Sequence, residues 1–417
     1  MLSSDHESRI RIFFLTLFNA ASYGQTNTDS VKIKVGADST IQSTNPLNHE
    51  KDIVDVIHQL SHHKPKLTLY EGTKNNVEFS VVPAAGYTLQ TGFAILVASN
   101  VVFYMDKREG SKPSTLLTSI AYTQYNQIIL PLSLNIWAKG GKYNIISDMR
   151  YMSYPSQTFG LGDTTHTSDG YKINFSYLKL HQSFLRRVSP NIYAGIGYYY
   201  DLLWNIEEVN PPPGTLTSFE QYGLYKKETA SGICLQALFD NRSNTVNATG
   251  GLYSNMRYRV NAQWMGSTSN WQSVTLDLRK YFRFLKGSRN TLAIWNYNWL
   301  SVHGKPPYLL LPSTGWDDFF NTGRGYIQGR YRAMNMCYLE SEYRFTLTRN
   351  GFLGGVIFTD LQTFSDVPSQ LYKVVIPGGG FGLRIKVNKR TQTNLCIDYA
   401  FGKEGSRGFF INLGEVF

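Results

Sequence analysis

The residues best equipped for chemistry in this 417-residue chain lie together in Gly323–Arg332, which reads GRGYIQGRYR. Its glycines suit neither helix nor strand. Its arginines, Arg324, Arg330 and Arg332, carry planar guanidinium forks, each able to hold two carboxylates at once. Acids follow where an alternating pattern resumes, at Glu340 and Glu342, and again at Asp360 within NGFLGGVIFTDLQ, Asn350–Gln362. The chemistry this offers is ion pairing. Two arrangements satisfy it: a solvated surface loop with ordinary charges, or a loop folded into a polar cavity whose walls supply the acids.

No other group of residues forms a reactive set. His58 and His62 fall four apart on a short helical pattern, KDIVDVIHQL (Lys51–Leu60), with His63 next, but no acid or cysteine completes a metal site. The three cysteines, Cys234, Cys337 and Cys396, are far apart inside strand patterns and fit neither a disulfide framework nor a zinc spacing. His166, His181 and His303 lie in different regions, and no G-x-S-x-G nucleophile motif occurs. GGGFG at Gly378–Gly382 follows a proline and opens a strand, so it is no phosphate cradle. The expectation is a protein that is not an enzyme and needs no cofactor or metal.

The elements that must position the arginines are strands. From Val77 onward the hydrophobic period is two. Leu252, Ser254, Met256, Tyr258, Val260, Ala262 and Trp264 take one face, and Tyr253, Asn255, Arg257, Arg259, Asn261 and Gln263 the other. Later, Leu395, Ile397, Tyr399 and Phe401 oppose Asn394 and Asp398, while Phe381, Leu383, Ile385 and Val387 oppose Arg384 and Lys386. Sixteen such segments are expected, at about 77–86, 91–104, 114–124, 126–138, 141–153, 170–184, 190–204, 223–239, 250–264, 270–284, 288–300, 332–345, 350–361, 377–388, 391–401 and 406–417. Most exceed the usual strand of about five or six residues. Connections after even-numbered strands are mostly short, and the long ones, 154–169, 205–222, 301–331 and 362–376, follow odd-numbered strands. Short turns at one end and long loops at the other are the pattern of an outer-membrane barrel, with the short side periplasmic.

Composition agrees. Aromatic residues reach 14%, with 28 Tyr and 24 Phe, and charged residues only 17%. The mean hydropathy of −0.26 is what a membrane barrel gives when lipid-facing and lumen-facing residues alternate. A net charge of +11 raises the question of nucleic acid, but Lys and Arg are scattered at alternate strand positions and in turns, not clustered. Lumenal arginines and contact with anionic lipid headgroups account for the balance. Residues 1–24, with Arg9 and Arg11 before IFFLTLFNAA and small residues at Ser22 and Gly24, read as a signal peptide cut before Gln25. Residues 25–76 read as a periplasmic linker with a short helix, and 77–417 as the barrel. The final strand ends GFFINLGEVF, in which Phe409, Ile411, Leu413 and Phe417 share a face; Phe417 is expected at the lipid-facing rim as an assembly signal.

With these elements placed, the chain resembles the BamA/TamA superfamily of sixteen-stranded barrels, the bacterial surface antigen family. The resemblance rests on Arg324-Gly325-Tyr326 with Gly329–Arg332 in the long loop, and on Glu342 and Asp360 on the next two strands. It rests also on the turn DNRSNTVNATGGLY (Asp240–Tyr253), with Asp240, Arg242 and Gly251, and on the ending GEVF. FGLGD at Phe159–Asp163 also resembles a loop of short members. The chain departs from the family's pattern at Gly323, Ala248 and Ala333, and residues 25–76 are too short for a POTRA module. The resemblance implies an all-β, sixteen-stranded antiparallel transmembrane β-barrel with an inward-folded lid loop. In it Arg324 pairs with Glu342 and Asp360, and Arg330 is expected in solvent or on its own loop. It implies insertion or translocation of other outer-membrane proteins without catalysis in the bacterial outer membrane. Outer-membrane lipids, client proteins and assembly-complex proteins or lipoproteins would be its partners, and nucleic acid would not. A partner-dependent structural barrel and a small solute pore are the alternatives.

Overall fold

A computed structural model of the protein describes residues 50–60, 77–88, 90–105, 113–214, 216–223, 225–283, 289–389 and 391–417. The signal-peptide expectation for residues 1–24, the Ser/Thr-rich part of the linker, and His62 and His63 lie outside the described residues. The described chain before the barrel forms one helix, α1 (Ile53–Leu60).

Sixteen antiparallel strands follow: β1 (Glu78–Thr88), β2 (Gly92–Phe103), β3 (Ser114–Thr123), β4 (Ile128–Ala138) and β5 (Tyr143–Ser153, resuming at Ser156–Thr158); then β6 (Tyr171–Ser189), β7 (Ile192–Val209), β8 (Lys227–Asp240), β9 (Gly251–Asn261), β10 (Trp271–Arg283) and β11 (Thr291–Gly304); then β12 (Asn335–Thr346), β13 (Leu353–Ser365), β14 (Ile376–Asn388), β15 (Thr393–Phe401) and β16 (Arg407–Leu413). Each pairs antiparallel with the next along the chain. A second short helix, α2 (Ser218–Tyr222), lies in the connection after β7.

The alternation sorts side chains as a membrane requires. On β9 the outward Met256 is 48% exposed and its neighbour Asn255 only 6%; on β13 the figures are 58% for Ile357 and 4% for Phe358. Phe93, Ile95, Ile120, Phe184, Ile196, Leu235 and Phe381 continue the exposed apolar belt, whereas Asp201, Arg259, Asp277, Arg279, Glu340, Glu342 and Asp398 are buried. A water-soluble sandwich would show the reverse, with apolar residues inside and charges out.

Long connections at 154–170, 210–226, 305–334 and 366–375 gather at one end of the barrel, and the short turns at the other. β6 and β7 run 19 and 18 residues, beyond the ranges expected from periodicity, because their pairing continues past the apolar belt as far as Lys172 opposite Val209. At the short-turn end α1 is tied to the β14–β15 turn by Asp55–Lys389 at 2.6 Å, and Glu50, just before the helix, to Lys386 of β14 at 3.3 Å.

β1 lies alongside β16, yet among the described residues no hydrogen-bonded register joins them. β16 is only seven residues long. It ends because Gly414 adopts φ +95°, which turns the chain off the sheet. The expected strand to residue 417 and the lipid-facing Phe417 are therefore corrected. Once the alternation breaks, the last three residues no longer share the face of Phe409. Phe417 is 5% exposed and packs 5.2 Å from the Trp295 ring on the inner wall.

Candidate functional site: a charged network inside the barrel

The long loop of residues 305–334 is braced on itself before it meets the wall. Asp317 accepts backbone hydrogen bonds from Asn321 (2.8 Å) and Thr322 (2.7 Å), and Gly329 and Tyr331 bond across to Thr314. Gly325 stands at φ +101°, where a Cβ would lie 2.5 Å from the Phe401 carbonyl oxygen, so only glycine lets the loop approach the end of β15 this closely. Tyr326 donates its hydroxyl to the Pro377 carbonyl and accepts from the Lys403 amide at 2.8 Å. Each member of the Arg-Gly-Tyr motif therefore has a separate role in seating the loop.

The Arg324 guanidinium, 2% exposed, meets three carboxylates from the inner wall: Glu340 and Glu342 of β12, and Asp398 of β15 at 2.6 Å. Its plane lies 3.5 Å from the centre of the Phe358 ring on β13. The structure thus brings Arg324 to Glu342, as the resemblance implies, but not to Asp360. Among the described residues Asp360 forms no ion pair, and neither of its oxygens has a hydrogen-bond partner. It sits opposite Glu340 in the β12–β13 register, against the backbone of Gly378. Phe358 fills the place beside the guanidinium, and Asp398, two strands further on, supplies the carboxylate instead.

Three features of this network escaped the sequence. Arg384 of β14 holds Asp398 at 2.5 Å and Glu415 at 2.9 Å. Arg344 of β12 holds Glu342 at 2.5 Å and donates to the Phe417 carbonyl at 3.0 Å. Asn394 donates to Glu415 at 2.7 Å. The inward placement of Arg384 and Asp398 was visible in the alternation, but which charges meet across strands was not. The glycine run also finds its reason here. Side chains at Gly378 and Gly382 would collide with the carboxylates of Asp360 and Asp398.

A second cluster faces the same loop. Asp318 of the loop pairs with Arg257 at 2.8 Å and Lys179 at 3.5 Å, and Lys179 and Arg150 share Asp148. Nearby, Asp201 accepts from the Tyr177 hydroxyl (2.6 Å), His181 (3.0 Å) and Arg259 (2.6 Å) around a cavity of about 70 Å³. At the short-turn end Asn321 of the loop donates to the Val416 carbonyl at 2.7 Å.

Arg330, expected in solvent or on its own loop, is instead buried between that loop and two other connections. It is 3% exposed, bonds Thr165 (2.8 and 2.6 Å) and Glu404 (3.0 Å), and lies over the Tyr331 ring. Thr167 supplies two hydrogen bonds to Glu404, from hydroxyl and amide, and His166 a third contact; together they hold its carboxyl down at about 2. The backbone of Gly329, at φ +76°, lets this segment turn, and the FGLGD stretch joins it through the Gly162 amide and the Arg332 carbonyl. Arg332 is buried with no acid partner among the described residues, on the Tyr308 carbonyl at 2.9 Å. At the opposite end Arg242 clasps Asp240 at 3.0 Å, and Gly251, at φ +104°, closes the turn against the Asn241 carbonyl.

What these arrangements can do is fix a loop and the chain's last residues to the inner wall. No protein-family model and no curated protein matches the sequence. Solved structures do match in fold. A BamA from Haemophilus ducreyi lacking POTRA domains 1–3 aligns over 85% of this chain and 76% of its own, at TM-score 0.50 and 14% identity. CdiB from Acinetobacter baumannii aligns over 81% and 60%, at 0.50 and 15%, and CdiB from Escherichia coli over 82% and 68%, at 0.51 and 10%. The chain therefore has the sixteen-stranded barrel fold of the BamA type.

Proposed function

We propose that this barrel resides in the bacterial outer membrane and assists the insertion or translocation of other proteins, with no covalent step. The observation that carries the reading is the seam: a seven-residue β16 beside β1, with no ladder between them among the described residues and the chain turned inward at Gly414. An unpaired strand edge at the lipid boundary offers backbone donors and acceptors to an incoming strand, which otherwise leaves its own unpaired in the bilayer. The likeness to BamA and CdiB supports the same reading at the level of fold. Clients would be outer-membrane or secreted polypeptides, and the groups at work are backbone amides and carbonyls, so neither cofactor nor metal enters.

The test is to lock the seam. Cysteine pairs placed across β1 and β16, in a background with Cys234, Cys337 and Cys396 replaced by alanine, would be oxidised in liposomes, and the folding rate of a urea-denatured barrel client measured. The reduced protein should speed client folding and the oxidised protein should not. Equal rates in both states would refute the proposal. A solute pore is disfavoured because loop residues 305–334 engage the inner wall on several sides; a large steady conductance in planar bilayers would revive it.

A further inference from the structure

The two rims of the barrel differ in charge. At the long-loop rim, acids and bases are mixed: Asp163, Glu207, Glu208, Asp366 and Glu404 stand among Lys226, Lys305 and Lys373. At the short-turn rim, the turns between Lys139 and Gln392 present Lys and Arg, and no exposed carboxylate is found there among the described residues. The acids nearest those turns are engaged, Asp240, 2% exposed, by Arg242, Asp55 by Lys389 and Glu50 by Lys386.

The charge concentrates where two turns meet. The β4–β5 turn carries Lys139 and Lys142, and the end of β6 carries Arg186 and Arg187. Among the described residues Lys139, Lys142 and Arg186 are exposed and form no ion pair within 4.0 Å, whereas Arg187 lies opposite the buried Tyr193 on the inner face. The site is built rather than loose. The Arg187 amide donates to the Lys142 carbonyl at 2.8 Å, and the Tyr193 hydroxyl to the Gly141 carbonyl at 2.9 Å. Tyr143 lies opposite Arg186 in the register, on the face away from the fully buried Leu185, and therefore on the outer surface. The ammonium groups of Lys139 and Lys142 lie 5.8 and 5.7 Å from the centre of its ring. Below it the Phe184 ring stacks at 5.4 Å, and Ile196 and Leu180, further from the rim, extend the exposed apolar surface.

Cations at the rim, an aromatic ring beneath them and apolar surface below that match, in order, the headgroup, the interface and the acyl chains of an anionic phospholipid. We propose that Lys139, Lys142 and Arg186 form a binding site for the phosphate-bearing headgroup of an anionic phospholipid in the leaflet at the short-turn rim. A protein or nucleic-acid partner would not explain why the cations adjoin the lipid-facing aromatics. The inference rests on the membrane reading of the barrel given above.

The experiment uses the full chain, purified in detergent and mixed with phosphatidylglycerol or with phosphatidylethanolamine of matched acyl chains. Retained lipid is counted by native mass spectrometry, with insertion into liposomes followed in parallel. The wild type should retain phosphatidylglycerol over phosphatidylethanolamine. The variant carrying K139Q, K142Q and R186Q should lose that preference about tenfold or more, since each basic residue near a charged surface contributes. A control carrying K226Q, K227Q, K305Q and K373Q at the other rim should keep it. Excess inorganic phosphate should leave the lipid bound; displacement by phosphate, equal loss in the control, or no headgroup preference in the wild type would each overturn the site. Insertion with no preference sinks this inference alone, whereas failure to insert into any bilayer sinks the membrane reading with it.

Discussion

Replacing Asp398 tests which acid holds the loop arginine. The structure gives Asp398 two guanidinium partners, Arg324 at 2.6 Å and Arg384 at 2.5 Å, all three groups being at least 95% buried. Breaking a buried pair by removing one partner costs about 3–5 kcal/mol, because the other charge is left buried and uncompensated. In Asp398→Ala, Arg324 keeps Glu340 and Glu342 and Arg384 keeps Glu415, so the loss should lie near the lower end, about 3 kcal/mol. Arg324→Ala takes a partner from three carboxylates and leaves Glu340 with no cation, Glu342 keeping Arg344 and Asp398 keeping Arg384, and should approach about 5 kcal/mol. The double variant should be less harmful than the sum of the two, by about 0.5–3 kcal/mol, since neither charge is then left facing a missing partner.

Asp360→Asn is the contrasting arm. Asp360 has no hydrogen-bond partner to lose, and asparagine keeps its shape, so the change should stay within about 1 kcal/mol. The assay is urea unfolding of the refolded barrel in lipid, followed by tryptophan fluorescence; Trp295 borders this network through Tyr338 and Phe417. If Asp360→Asn proves as damaging as Asp398→Ala, or if Arg324→Ala and Asp398→Ala are strictly additive, the assignment of Asp398 over Asp360 is wrong.

Other outcomes follow from the same structure. Phe417→Ala should destabilise the finished barrel by about 3–5 kcal/mol in the same unfolding assay, because the ring is packed on Trp295 and Tyr281; a loss confined to membrane delivery would contradict its inward packing. Gly382→Ala should lower stability by about 1–3 kcal/mol, as the added methyl displaces the Asp398 carboxylate, and Gly405→Ala, which meets open space, tests whether crowding is the cause, although its φ of +74° adds backbone strain. The Glu404 carboxyl is held below the usual range, so its contribution is present in full above about 4.5 and fades as pH falls through about 2. A carbon-13 titration of its carboxyl should show that low midpoint in the wild type and a return toward the ordinary glutamate value in Thr167→Val.

Much of the wall was legible because membrane strands carry their environment in alternation. Met256 and Ile357 had to face out, and Asn255, Arg384 and Asp398 in, whatever the register. The side of each long loop followed from parity alone. The failures share a physical reason: alternation says which face a residue takes, not which neighbour it meets. Glu342 and Asp360 sit on adjacent strands, so both were natural partners for Arg324. The inner wall instead curves Asp398 toward the guanidinium and leaves Phe358 beneath it. Phe417 misled for a related reason. The even spacing from Phe409 holds only while the chain stays in the sheet, and the positive φ of Gly414 ends that three residues early. Arg330 was expected in solvent or on its own loop because its partners, Thr165 and Glu404, lie 165 and 74 residues away in two other connections.

The distribution of these contacts bears on how a seam could open without unfolding the barrel. The arginine pairs join β12, β14 and β15 to the loop and to residues 415–417. On the other side of the seam, the inward faces of β2 to β4 carry Ala94, Leu96, Ala98, Leu117, Ala121 and Ile129 around a cavity of about 380 Å³. Charge pairs are costly to separate in a buried setting, whereas small apolar side chains beside a void have few contacts to lose. Moving β1 to β4 away from β16 would therefore leave every Arg324, Arg344 and Arg384 pair intact. Moving β16 instead would pull on Glu415 and Phe417, which Arg384 and Arg344 hold. The energetics assign the mobile edge to β1 and the fixed edge to β16. A seam crosslink should accordingly quench motion in β1 to β4, read by hydrogen exchange, while leaving the exchange of β12 to β15 unchanged; slowing of both walls alike would show that the network does not anchor one side.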